Sequence, residues 1–497
     1  MKSVMFARLA TALLLAPIAL SVTGCGNRPY KTTENQFAGR PVPPSQLTQR
    51  VLVGISIGAA QGAAQVLDAK RDIRSNVYQP NSIFAISGFS SNAQRIISYP
   101  EQTRGYVFNA DGSVVTINYS TESALGNTAP VSGLPSDVAV PSDVQAVYAA
   151  QERDGLFTIN APSSGSGTTA SLGVTYAFAV PGVYRVAVNP AHTVVLMMVR
   201  NSNLLYRLLQ INSNQTAPAG ALTCQPLNKP VYCIVPVGSS QPDGNIRDPA
   251  LHRPTTVYFS PDGSQAYILS CGRECGGSAA TGDDTSAVSF ADLSGLRIDN
   301  YPTSSVYTSP IVNTTLVPGG ATAAISDGAT LYIAGQSLQT DNIFGGNLSL
   351  ISLATRAVTN TYSISDGTHT RMLFADDNTL WIGSSNCASG ERAAHGQNYN
   401  CLTRFSITSK SAAIVPAVTP GGAVTVPFPN GNLDPYYYGS LTGICWVEGL
   451  NKVYTAYGGQ VHAFKTVDGS EIDNSLITVQ GTATDVAYID ASTNVAN

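Results

Sequence analysis

Three arginines and two aspartates, Arg95, Arg185, Arg371, Asp137 and Asp485, stand at one equivalent position in a series of recurring apolar strand phrases. Guanidinium groups gathered there could grip a carboxylate or phosphate through paired N–H donors, which makes these five residues the ligand-binding candidates. The same charges could instead pair with one another and hold neighbouring repeats together, and the sequence leaves both readings open. Thr256, Thr322 and Gly443 fill the position in the remaining copies, the last two only after a gap.

Other chemistry is sparse. His192, His252, His369, His395 and His462 show no metal-ligand spacing and read as polar loop or strand-end residues. No G-x-S-x-G elbow, H-E-x-x-H, P-loop or C-x-x-C-H haem attachment occurs, so no catalytic residue, metal or cofactor is assigned. Asp283-Asp284, in a Gly/Thr-rich loop, reads as a solvated turn or, alternatively, a Ca²⁺ site, which needs several oxygen ligands. Tyr436-Tyr437-Tyr438 offers either an exposed aromatic patch or rings packed into a loop. Local spacing suggests three disulfides, Cys224 with Cys233, Cys271 with Cys275 and Cys387 with Cys401, with Cys445 left as a buried thiol. "CGREC" could instead be a metal corner, but no second Cys/His pair matches it.

The elements that must position these residues repeat along the chain. His252–Leu269, "HRPTTVYFSPDGSQAYIL", reads as a strand, an Asp-Gly turn and a second strand. Related first strands begin at Arg95, Asp137, Arg185, Thr256, Thr322, Arg371, Gly443 and Asp485, roughly 40 to 70 residues apart, near the span of four-stranded propeller blades. This predicts an all-β chain forming a single β-propeller of eight blades, or seven if Arg95–Ala129 is irregular or two weak repeats merge. "RVLVG" and "AQVLDAKRD" resemble second and third strands without a first, and "TDVAYID" at Thr484 is a first strand without a second. Joining them in one blade would close the ring and remove its exposed edges. Insertions between second and third strands, "CGRECGGSAATGDD" and "NCASGERAAHGQNYNC", carry two of the cysteine pairs.

The start of the chain has a different character. Lys2 and Arg8 precede the apolar run "LATALLLAPIALSV", and Val22-Thr23-Gly24-Cys25 follows. This resembles a bacterial lipoprotein signal, which implies lipidation (palmitate among the acyl chains) of Cys25 and a mature protein held on a membrane by its acyl chains. The same resemblance implies outer-membrane sorting, since Gly26 rather than Asp follows the cysteine. The expected organisation is a signal peptide over 1–24, a lipidated tether over 25–48 and a β-propeller domain over 49–497. Only 12% of residues are charged and the net charge is −4, which gives no reason to expect nucleic acid.

"VYFSPDGSQAYIL" resembles the bacterial YVTN-type propeller repeat, though Ala375-Asp376-Asp377-Asn378 and Val447-Glu448-Gly449 replace the turn in other copies. The family implies the fold and not an activity; it includes surface proteins, and related propellers include lactonases and haem- or quinone-binding enzymes. The expected function is a lipid-anchored cell-envelope propeller that binds or scaffolds, its partner an envelope protein or a small anionic ligand, with no catalysis. The alternative is a lactonase-like hydrolase acting on a small cyclic ester at the channel mouth.

Overall fold

The computed structural model describes residues 41–58, 61–74, 85–98, 104–128, 135–162, 172–212, 214–225, 231–302, 306–340, 342–387, 400–416, 438–472 and 475–490. Cys25, His395, Tyr436 and Tyr437 lie outside them. The described residues form eight antiparallel blades in a ring, with helix confined to single 3₁₀ turns. The stretch beginning at Arg95 is regular: Ala93–Ser98, Arg104–Asn109, Val114–Asn118 and Ser123–Thr128 make blade 1. The inner strands of the next six blades are Asp137–Ala139, Val183–Val188, Pro254–Phe259, Ala323–Ser326, Thr368–Ala375 and Leu441–Val447.

Blade 8 closes the ring from both ends. Its inner strand, Thr482–Tyr488, pairs antiparallel with Arg50–Ile57, placing Val53 opposite Val486, and Gln61–Asp68 and Ile73–Arg74 follow outward. A buried ion network supports this seam. Arg50 reaches Asp490 at 2.8 Å and Glu122 of blade 1 at 2.9 Å, and all three side chains are almost fully enclosed. Burial opposes the Arg50 charge, but both carboxylates overcome that and raise its pKa above the usual arginine value. Ser45 and Leu47, at the end of the expected tether, are buried against this blade pair, Ser45 through hydrogen bonds to Glu122 and Leu47 among apolar side chains. Chain from Pro43 onward therefore packs with the propeller.

The core lies between blades. Val53 and Ile55 of blade 8 meet Cys445, Tyr454 and Ala456 of blade 7, while Leu52 and Val66 meet Val107 and Ile117 of blade 1 on the other side. Alternate residues of one strand thus serve opposite neighbours, as strand geometry requires. The turn of the best repeat uses Gly263 at φ +70°, with Asp262 accepting the Ser264 amide at 3.1 Å. Where Gly is missing, Asp377 and Asn378 take φ values of +62° and +52°, a pair of left-handed residues that makes an equally tight hairpin.

Candidate functional site

A recurring backbone irregularity aims the candidate charges. Between inner and second strands, the ladder skips one residue just before Arg95, Arg185, Thr256, Arg371, Gly443 and Asp485. Such a bulge re-aims the side chains beside it. The residue at the bulge, or its counterpart, is often a hydroxyl that caps the carbonyl opposite: Ser136 on Ala150, Thr255 on Leu269, Thr322 on Ala334, Thr442 on Ala456 and Thr484 on Gly54. Thr322 belongs to this capping set. The position equivalent to Arg95 in blade 5 is therefore Ala323, one residue later than the sequence alignment placed it, because Ser326 is still paired in the ladder whereas its counterpart by phrase, Ser260, lies just beyond it.

The five charges connect blades around the channel. Arg95 Nη1 donates to Asp137 at 2.9 Å and to Val138 O at 3.3 Å, joining blades 1 and 2. The other oxygen of Asp137 accepts from Val186 N of blade 3 at 3.2 Å. Arg185 donates to Thr255 O of blade 4 at 3.2 Å. Arg371 of blade 6 donates to Thr442 O of blade 7 and, at 3.1 Å, to Asp485 of blade 8, which in turn accepts from Ile96 N of blade 1 at 2.8 Å. Gly443 allows this reach over blade 7: a Cβ there would lie 2.1 Å from Asp485 Oδ1. Burial pushes the Asp485 carboxyl up against the pull of Arg371. Asp485 favours the Arg371 charge most, yet burial and then Arg95 bring that guanidinium below its usual pKa. Four of the five charges thus form two ion pairs, while Arg185 has no carboxylate partner among the described residues.

Arg185 opens instead onto a cavity of about 340 Å³, lined by Tyr184, Arg200, Asn201, Arg253, Glu274, Thr322, Gln336 and Thr368 among others. These residues come from the starts of inner strands and the loops between second and third strands of blades 3 to 6, so the cavity sits at one mouth of the channel. Two of its arginines are committed. Arg200 is bidentate to Glu152, and Arg253 pairs with Asp283 and donates to Cys275 O at 2.8 Å. Burial alone would raise Asp283, but hydrogen bonds from Thr281 and Ser278 and the Arg253 guanidinium hold it at about 2, and Asp284 pairs with Arg273. Both acids of that loop are neutralised by arginines.

Glu274 was not singled out in the sequence. It lies between Cys271 and Cys275, which form a disulfide, and accepts from Gln336 N at 2.9 Å and Gln336 Nε2 at 3.3 Å. Among the described residues no cation is within hydrogen-bonding distance, and burial raises its pKa to about 7 despite the two Gln336 bonds and the field of Arg185. Gly320 makes room for it: a Cβ there would fall 1.5 Å from Glu274 Oε2. The signal available in sequence was an acid inside a short Cys-x-x-x-Cys loop, but its neighbour Gly320 belongs to the next blade.

Cys224–Cys233 and Cys387–Cys401 are also bonded, and Cys445 is a buried thiol. His369 is fully buried, donates from Nε2 to Ser365 O at 2.7 Å and is driven by burial to about 4, hence neutral. Tyr438 packs on His462 with ring centroids 4.4 Å apart and donates to Glu471, so this member of the tyrosine run is a packed ring. Among the described residues no three His, Cys, Asp or Glu side chains gather as a metal-binding group.

No family model and no curated protein sequence matches the chain. Solved structures similar to it include the dihydro-haem d1 dehydrogenase NirN in complex with DHE, at TM-score 0.53 and 13% identity over 89% of this chain and 75% of that one. Others are the Myceliophteria thermophila Cps50 (Swd1) β-propeller domain, at TM-score 0.43 and 10% identity over 75% and 96%, and a Bacteroides fragilis protein assigned as a 6-phosphogluconolactonase, at 0.42 and 10% over 89% and 98%. At these identities the likeness concerns the fold alone.

Proposed function

We propose that this chain is a lipid-anchored cell-envelope propeller that binds a small ligand at its channel mouth, with Cys25 as the acylated residue and the outer membrane as its site. The observation that carries the reading is the uneven use of charge around the ring. Arg95, Asp137, Arg371 and Asp485 are spent on joining blades, whereas Arg185 faces a cavity with no carboxylate of the described residues within hydrogen-bonding distance. An arginine in that state suits an anionic group on a ligand. A rigid, closed ring holds such a pocket in shape, which limits the ordering cost of binding.

Binding of acetate and inorganic phosphate to the purified full chain, followed by NMR titration, tests this directly. Saturable binding that weakens in Arg185→Gln supports the reading, and its absence with both anions removes it. Acyl labelling that disappears in Cys25→Ser tests the anchor. A hydrolase acting on a small cyclic ester draws on one observation, an acid poised near pH 7 in the same cavity. Lactone turnover, with and without divalent metal, that vanishes in Glu274→Gln would favour that second reading.

A further inference from the structure

Among the described residues lining the cavity, one cation and one anion are left without an oppositely charged partner. Arg200 is matched to Glu152 and Arg253 to Asp283. Arg185 spends one Nη1 bond on Thr255 O, and its Cζ stands over the Tyr184 ring, 5.7 Å from the centroid. Glu274 accepts only from an amide N–H and an amide side chain. The two reside on different blades, feel one another's charge and do not touch through a hydrogen bond. A half-buried carboxyl with no cation in hydrogen-bonding distance costs free energy when ionised, and a guanidinium facing open space is underused. Both deficits would be met by one ligand bearing both charges.

We propose that the cavity is a site for a small zwitterion of the α-amino acid type, its carboxylate on Arg185 and its ammonium on Glu274. This deepens the small-ligand reading above and rests on it. The cavity's 340 Å³ exceeds what a single amino acid backbone fills, and Asn201, Thr322, Thr368 and Gln336 leave the remaining wall polar. A hydrogen-bonding side chain is therefore better accommodated than a long apolar one. Bound ammonium would supply the charge that Glu274 lacks, so the carboxyl gives up its proton as the ligand enters. The charged groups lining the cavity with it are Arg185 and Arg200 from blade 3, the latter neutralised by Glu152, and Arg253, neutralised by Asp283, from its own blade; blade 5 presents the neutral Gln336 and Gly320.

The test uses the purified full chain and three matched probe pools: polar L-amino acids, the same set N-acetylated, and the same set as carboxamides. Each blocked pool lacks one of the two charges. Ligand-detected NMR should show the free amino acids bound at least about tenfold more tightly than either blocked pool, as expected for losing one charge-assisted contact. Glu274→Gln should abolish the preference for the free ammonium and leave the carboxylate preference, and calorimetry at pH 6 in two buffers of different ionisation enthalpy should report proton release from the wild type only. Equal binding of the N-acetylated pool overturns the zwitterion. So does Arg185-dependent binding of acetate or phosphate that amino acids fail to displace, although that outcome leaves the anion-binding reading intact. Absence of binding by every probe overturns both.

Discussion

Replacing Glu274 by glutamine should change how stability depends on pH, in a direction fixed by the cavity. The folded carboxyl keeps its proton to about pH 7, whereas its ordinary value is 4.5. Between those values the folded chain holds a proton that the unfolded chain has released. Stability must therefore fall as pH rises through that window and level off above it. Each tenfold change in proton affinity is worth about 1.36 kcal/mol, so the full penalty is about 3 kcal/mol, and partial solvent access reduces it to about 1–2 kcal/mol. Glutamine preserves the shape and can keep one Gln336 bond while removing the ionisation. Urea unfolding at pH 5 and pH 8 measures the effect. The variant should gain about 1–2 kcal/mol relative to wild type at pH 8 and only about a quarter of that at pH 5, where the window has just opened. Parallel pH profiles for the two proteins would refute the assignment of a raised pKa to Glu274, and with it the claim that no cation satisfies this acid.

Other expectations follow from the same geometry. Gly320→Ala should displace the Glu274 carboxylate, since the added Cβ would sit 1.5 Å from Oε2, and the pH 5 to 8 stability difference should shrink toward that of Glu274→Gln. Asp485→Ala leaves Arg371 enclosed and Ile96 N without its acceptor, so a loss of about 3–5 kcal/mol is expected by chemical denaturation. Asp490→Ala at the closing seam removes the bidentate partner of Arg50 and should cost a similar 3–5 kcal/mol or so, roughly the value for breaking a buried pair, with amide exchange rising first along Arg50–Ile57. Replacing Cys387 and Cys401 by serine releases a loop closed over 14 residues of separation, with an expected loss of about 3 kcal/mol measured against the wild type under non-reducing conditions.

Repetition made the fold legible in the residues. The first strand at Arg95 is as regular as that at Thr256, and the unpaired phrases "RVLVG" and "TDVAYID" find each other at Val53 and Val486. The cysteine pairs were readable for the same reason, since each falls within one repeat and needs only local chain to close it. The candidate ring was half legible. Its residues were found by alignment, but Thr322 was placed one residue off, because the turn phrase that anchored the alignment begins inside the strand at Ser326 and after it at Ser260.

What no alignment could supply is which charges are already matched. Arg185 and Arg371 occupy the same place in their repeats, yet one meets only a carbonyl and the other meets Asp485 across an intervening blade. That difference depends on Gly443 leaving space in the blade between, which no local pattern records. Glu274 shows the same limit more sharply: its environment is made by Gln336 and Gly320, some 46 to 62 positions along the chain. Local sequence thus determined the strands, their turns, the closing blade and the disulfides, since short-range alternation and spacing govern all of these. The pairing of charges, the cavity they leave and the acid poised in it were decided only when the ring brought distant loops to a common mouth, where desolvation and electrostatic fields depend on distance in space.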